Sequence, residues 1–174
     1  MKASGIFGFG FLVALFALDT AVSQGNGPAR VFKPAIDKLL GKTKVPILLP
    51  SKLPIIIRER DIKLAWGTVS ESGYDIALYY TEIGSDASLA ADFIGSTQVF
   101  RDLPNTRKVE FGKGIIGMFR PVSCGGSCAP ANLWWEQNGV MYQIQIKLAS
   151  TTNEKEQEKI LLEAANSTVP VRKE

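Results

Sequence analysis

The sequence predicts an α+β domain, a single antiparallel β-sheet with a C-terminal helix and a short N-terminal helix packed on it. Two observations carry this. Short alternating runs follow one another from Lys63 to Leu148 without a regular strand-helix-strand rhythm, and a 3.6-residue apolar stripe closes the chain.

The first helix is expected around Pro34–Gly41. Pro34 suits a first turn, Phe32, Ile36, Leu39 and Leu40 share one face, and Gly41 is placed to stop it. Val45 to Pro54 carries three prolines, which forbid a helix or a central strand and predict an extended segment along the domain edge; Ile55 to Arg58 continues it as a short strand. Leu64–Val69 and Tyr74–Ile83 form a hairpin around Ser72-Gly73, with Ile76, Leu78 and Tyr80 alternating against Asp75, Ala77 and Tyr79. Leu89, Ala90 and Phe93 at helical spacing predict a short helix over Ser85–Ile94. Thr97–Phe100, Lys108–Phe111, Ile115–Pro121 and Asn132–Gln137 read as further strands.

Asn138-Gly139 is the favoured pair for a two-residue type I′ turn. A turn of that length fixes the register, so Gln137 faces Val140, Trp135 faces Tyr142, Trp134 faces Gln143 and Leu133 faces Ile144. Leu133 and Trp135 then join the apolar face, and Trp134 falls on the other with Met141, Gln143 and Gln145. The closing helix spans about Glu154–Ser167, with Asn153 and Glu156 in capping-box positions, acidic residues in its first turn, and Ile160, Leu161, Ala164 and Ala165 inward.

The N-terminus reads as a secretion signal. Lys2 precedes an apolar or glycine run from Ile6 to Leu18, and Ala21 and Ser23 are small residues at the positions a signal peptidase inspects. Crossing a hydrocarbon core takes about 20 residues, which this run does not reach by itself. Cleavage is expected after Ser23, with retention as an anchor the alternative. The expected organisation is residues 1–23 signal, 24–30 a disordered lead, 31–169 one domain, and 170–174 a tail, with no transmembrane span in the mature chain.

Removing residues 1–23 takes away one base, Lys2, and one acid, Asp19, so the formal charge of +3 is unchanged. Scattered over a domain, that charge argues against nucleic acid, which needs a concentrated basic face. The chain has no histidine, which excludes Ser-His-Asp and Cys-His catalysis and every histidine metal site. Nothing in it names a cofactor.

Cys124-Gly-Gly-Ser-Cys128 is the most distinctive segment. Small flexible residues let the two cysteines close a tight loop, and an exported pair should be oxidised; the ring would contribute about 2 kcal/mol. A structural disulfide is the leading reading, with a redox-active dithiol and a metal pair as alternatives. Gly112-Lys-Gly-Ile-Ile-Gly117 matches the nucleotide-binding glycine pattern, but the alternation after Gly114 predicts a hairpin in place of the helix that pattern requires. Asn166-Ser167-Thr168 is a formal glycosylation triplet. Trp134, Met141, Gln143 and Gln145, joined by Tyr79, form the candidate binding platform for a sugar or peptide if that sheet face is open; the competing reading is that a helix or the proline segment covers Trp134, as large aromatic groups are usually mostly buried.

Pro50-Ser51-Lys52-Leu53-Pro54, then Trp135-Glu136-Gln137-Asn138-Gly139 with Tyr142, then Ala164-Ala165-Asn166-Ser167, resemble the motifs of a group of uncharacterised exported bacterial domains, themselves similar to the extracellular parts of some anti-sigma-type and lipoprotein sequences. The resemblance spans roughly Val45 to Thr168. It departs at the lipid-anchor cysteine and membrane helix, both absent here, and at the CGGSC loop. It implies an envelope or extracellular setting and no known active site. The expected function is a non-catalytic exported domain that binds an envelope protein or glycan. A secreted hydrolase using carboxylates such as Glu110 or Glu136, and a thiol-disulfide factor acting through CGGSC, are the alternatives.

Overall fold

A computed structural model describes residues 27–98 and 103–172. The proposed secretion signal and cleavage site lie outside the described residues. A 3-10 turn at Arg30–Phe32 leads into helix α1 (Lys33–Leu39), which has Pro34 in its first turn; the chain turns away at Gly41, with φ at +80°. The strands are β1 (Leu48–Pro50), β2 (Leu64–Ser70), β3 (Gly73–Tyr79), β4 (Leu89–Ser96), β5 (Arg107–Phe111), β6 (Ile115–Arg120), β7 (Ser123–Cys124), β8 (Cys128–Ala129), β9 (Ala131–Gln137), β10 (Val140–Ile146) and β11 (Thr168–Pro170), and helix α2 covers Glu154–Asn166.

The large antiparallel sheet and C-terminal helix stand as expected, but the strands form three sheets, not one. Seven strands make the main sheet in the order β2-β3-β4-β10-β9-β6-β5, while β1 pairs with β11 and β7 with β8. The proline-rich segment cannot supply a central strand, so among the described residues its ladder is with the C-terminal stretch, Leu49 opposite Val169. That ladder reaches Pro170, into the stretch expected to be a tail.

The expected helix over Ser85–Ile94 is a strand. Only Asp86–Ser88 makes a helical turn, closed by the Ser85 and Ser88 hydroxyls; from Leu89 the chain extends as β4, hydrogen-bonded to β3 on one side and β10 on the other. Ala91, Phe93 and Gly95 point into the core, and two filled ladders outweigh the local helical spacing. Ile55–Arg58 is likewise no strand: the Ile57 N–H donates to the Pro54 carbonyl in a turn, and Ile55 is 86% exposed. The strand expected at Thr97–Phe100 is not seen at Thr97 or Gln98, and residues 99 and 100 lie outside the described residues.

The core lies between one face of the main sheet and the layer formed by α1, α2 and the extended segment. Ile76, Phe93, Ile144, Leu133 and Phe119 rise from successive strands and are buried, beneath Phe32 of the 3-10 turn, Leu39 of α1, and Leu161 and Ala164 of α2. Trp135 stacks on Tyr142 with ring centroids 5.6 Å apart, and Phe111 meets it edge-on at 5.4 Å. The Tyr142 hydroxyl donates to the Pro46 carbonyl (3.1 Å), which binds the proline segment to the sheet. Asn153 caps α2 by accepting the Glu156 N–H at 3.0 Å. Buried Gln157 accepts the Val122 N–H (2.7 Å) and donates to the Thr152 carbonyl (2.6 Å), fixing the helix to the strand that leaves the sheet. No helix among the described residues is long and apolar enough to cross a membrane.

Candidate functional site

Because side chains alternate along each strand, whatever does not enter the core is gathered on the opposite face of the main sheet. The register sets one continuous row across six strands there: Trp66, Ala77, Asp92, Gln145, Asn132 and Arg120, each directly opposite the next. A second row runs Thr68, Asp75, Ile94, Gln143, Trp134, Met118 and Lys108. The two rows hold a band of carboxyl, carboxamide and guanidinium groups on a pitch of about 4.8 Å.

Several of these groups are bound to one another. Asn132, 1% exposed, donates to the Pro130 carbonyl at 2.8 Å and accepts from Gln143 Nε2 at 2.7 Å. The Arg120 guanidinium lies over the Trp134 ring, 4.9 Å from its centroid, and its Nε is shielded from solvent with no partner among the described residues. Asp92 sits at the centre of the band, half-buried. Burial, then a hydrogen bond with Asp75 and the like charge of that group, pushes the Asp92 carboxyl up to about 8, against a smaller opposing hydrogen bond from the Phe93 N–H. Its Oδ1 is shielded and unpartnered among the described residues. Tyr79 is held above the ordinary phenol range by desolvation and by the charges of Asp92, Asp75 and Asp86. Between Trp66 and Asp92 the row carries Ala77, 7% exposed, with Asp75 and Tyr79 beside it along β3.

The structure brings Trp134, Met141, Gln143 and Gln145 to one face through the β9–β10 register, and strand order adds Tyr79 to it. It does not leave Trp134 as an open platform. That ring is 5% exposed under Arg120, and Met141 is 8% exposed, whereas the tryptophan that meets solvent is Trp66, at 48%. Lys38 reaches from α1 to place its Nζ 3.8 Å from the Trp66 ring, so this ring already accommodates an ammonium. Sequence reasoning passed over Asp92 because its segment read as a helix. Once Ala91, Phe93 and Gly95 are seen as an inward alternation, Asp92 is placed outward beside Asp75.

Glu110 and Glu136 are exposed, on strands separated by β6, and neither adjoins the Asp75–Asp92 pair. Cys124 and Cys128 are joined as a disulfide between directly opposite residues of the β7–β8 hairpin. Every residue from Ser123 to Ala129 is exposed, and the hairpin springs from the sheet just beyond Arg120 and Asn132, at the end of the polar row. The glycine motif is a hairpin: Gly112 and Gly114 take φ of +57° and +80° in the β5–β6 turn, and a Cβ on Gly117 would lie 2.9 Å from Leu133 Cδ1. The glycosylation triplet ends α2, where Asn166 Oδ1 accepts the Gly112 N–H at 2.7 Å.

A hollow of about 1000 Å³ between α1 and the C-terminal strand is lined by Ile36, Leu40 and Val169 among others. Its charged lining residues are Arg30, Lys33, Asp37 and Arg172, of which Lys33 and Asp37 pair with each other at 3.3 Å. Recognition by directed hydrogen bonds is better served by the sheet face. No protein-family model, curated protein or solved structure matches the chain.

Proposed function

We propose that the chain is an exported, non-catalytic domain that binds an envelope glycan across the polar band of its sheet. The observation that supports this most is the uninterrupted row Asp92–Gln145–Asn132–Arg120, flanked by Gln143 and Asp75. Half-buried Asp75, Asp92, Gln143, Gln145 and Arg120 carry donors or acceptors suited to sugar hydroxyls, while buried Asn132 holds Gln143 in place from beneath. Exposed Trp66 adds an apolar surface at the row's end for a sugar face. The disulfide is compatible with an oxidising compartment.

The test is calorimetric titration of the chain lacking residues 1–23 with peptidoglycan fragments and surface-polysaccharide oligosaccharides, beside Gln145→Ala and Asp92→Asn. Binding weakened about tenfold or more in both variants, with unchanged melting of Gln145→Ala, supports the reading. Saturable binding unaffected by both substitutions, or capture of an envelope protein with no glycan bound, sinks it.

One observation favours a second reading. A carboxyl pushed up to about 8 beside a second carboxyl, as Asp92 is beside Asp75, is the equipment of a carboxylate-dyad hydrolase. Glu110 and Glu136 have no such arrangement. Product formation from the bound ligand, abolished by Asp92→Asn, would favour this reading over simple binding.

A further inference from the structure

The two edges of the main sheet differ. At one, β5 carries Arg107, Lys108 and Glu110, with Arg107 ion-paired to Glu158, the charged surface that keeps an edge from pairing with a neighbour. At the other, β2 reads Leu-Ala-Trp-Gly-Thr-Val-Ser, seven residues without a charge, and it has only β3 as a ladder partner among the described residues. Trp66 and Val69 are 48% and 37% exposed.

We infer that β2 is a self-association edge, and that a second copy of this chain pairs with it antiparallel about a two-fold axis through Gly67. Gly67 is the midpoint of the strand, so this register alone overlaps all of β2 with all of its copy. It sets Leu64 against the copy's Ser70, Trp66 against its Thr68, and Ala65 against its Val69, so that the exposed valine gains a neighbour on its own face. Just outside the strand it sets Lys63 against the copy's Glu71, twice over by symmetry. Both are exposed, and neither has an ion-pair partner among the described residues. The edge is therefore complementary to itself in charge as well as in pattern, as an isologous interface must be. Pairing also puts both polar bands on one face of a continuous sheet, with two Trp66 side chains near the axis, so a repeating polymer could be held at two points.

Lys38 opposes this pairing. Its side chain passes from α1 to Trp66 on the other face, across the edge, and must swing aside for a second strand to dock.

The experiment is sedimentation velocity on the chain lacking residues 1–23, from micromolar to submillimolar concentration, with circular dichroism melts confirming each fold. The wild type is expected to dimerise weakly, as a small interface does. Lys63→Glu and Glu71→Lys should each raise the dimer dissociation constant about tenfold or more. The double variant Lys63→Glu/Glu71→Lys, which exchanges the charges, should restore it, and Lys38→Ala should tighten it. A wild type that stays monomeric at every concentration overturns the inference. So does a dimer indifferent to the single charge reversals, or one that the exchange fails to restore.

Discussion

The Tyr74 hydroxyl holds Leu48 at both of its backbone groups, accepting the amide N–H at 2.9 Å and donating to the carbonyl at 3.2 Å. A side chain from the main sheet thereby completes the ladder of a segment whose prolines leave it few bonds of its own. The ring has room because residue 95 is glycine: a Cβ there would come within 2.4 Å of Tyr74 Cε1. Tyr74→Phe removes both bonds without altering packing and should cost about 1–3 kcal/mol. Gly95→Ala, which displaces the ring, should cost at least about 1 kcal/mol. Urea melts followed by far-UV circular dichroism measure both. A Tyr74→Phe midpoint equal to the wild type would mean that the proline segment is held by its apolar contacts alone.

Asp92 should make the fold sensitive to alkali. Its carboxyl titrates near 8 in the folded chain and near 3.9 when unfolded. Between those values the folded state keeps a proton that the unfolded state has released, so this group makes stability fall as pH rises. Its contribution is complete below about pH 4 and lost as pH climbs through 8. Asp92→Asn stays neutral throughout, so its melting temperature should gain on the wild type between pH 5 and pH 9, by at least about 3 °C at the upper end. Asp75→Asn should move the titration of Asp92 downward, because it removes the neighbouring like charge. Parallel wild-type and Asp92→Asn melting curves against pH would show that the carboxyl is not held protonated.

Where local chemistry decides the structure, the fold was legible in the sequence. Asn138 and Gly139 take positive φ of 55° and 75°, and the register that a two-residue turn imposes is the one found, from Gln137↔Val140 to Leu133↔Ile144. Asn153 caps its helix and Gly41 ends the first one for reasons that lie within a few residues of each. The errors occur where distant partners decide. Leu89, Ala90 and Phe93 have helical spacing, and only the ladders to β3 and β10 make them a strand. The partner of Leu49 is Val169, far along the chain. The same holds for the site: the platform around Gln143, Gln145 and Asn132 follows from one turn, but Asp92 joins it only through strand order.

The disulfide should be dispensable for folding. Its ring closes five residues on an exposed hairpin, and the ends of that excursion are already held together by the pairing of Arg120 with Asn132. The loop-entropy gain of about 2 kcal/mol is therefore an upper bound. Reduction of the native protein, or the Cys124→Ser/Cys128→Ser variant, should lower the melting temperature by no more than about 8 °C, with both thiols open to alkylation after reduction. A pair that resists reductant until the protein melts would instead tie the hairpin to the stability of the sheet.

The two tryptophans of the outer face should prove opposite in kind. Trp134 is 5% exposed, between β6 and β10 and under Arg120, so Trp134→Ala empties a packed position and should cost about 3 kcal/mol or more. Trp66 is 48% exposed and shares its ring with Lys38; Trp66→Ala should cost about 1 kcal/mol or less. The third, Trp135, is 3% exposed in the core, so a collisional quencher should reach one tryptophan of the three. Iodide should quench a fraction of the fluorescence that disappears in Trp66→Phe and persists in Trp134→Phe. If glycan binds across the row from Trp66 to Arg120, saturating ligand should protect that same fraction in the wild type. Quenching that survives Trp66→Phe would place the accessible indole elsewhere and remove the apolar end of the proposed site.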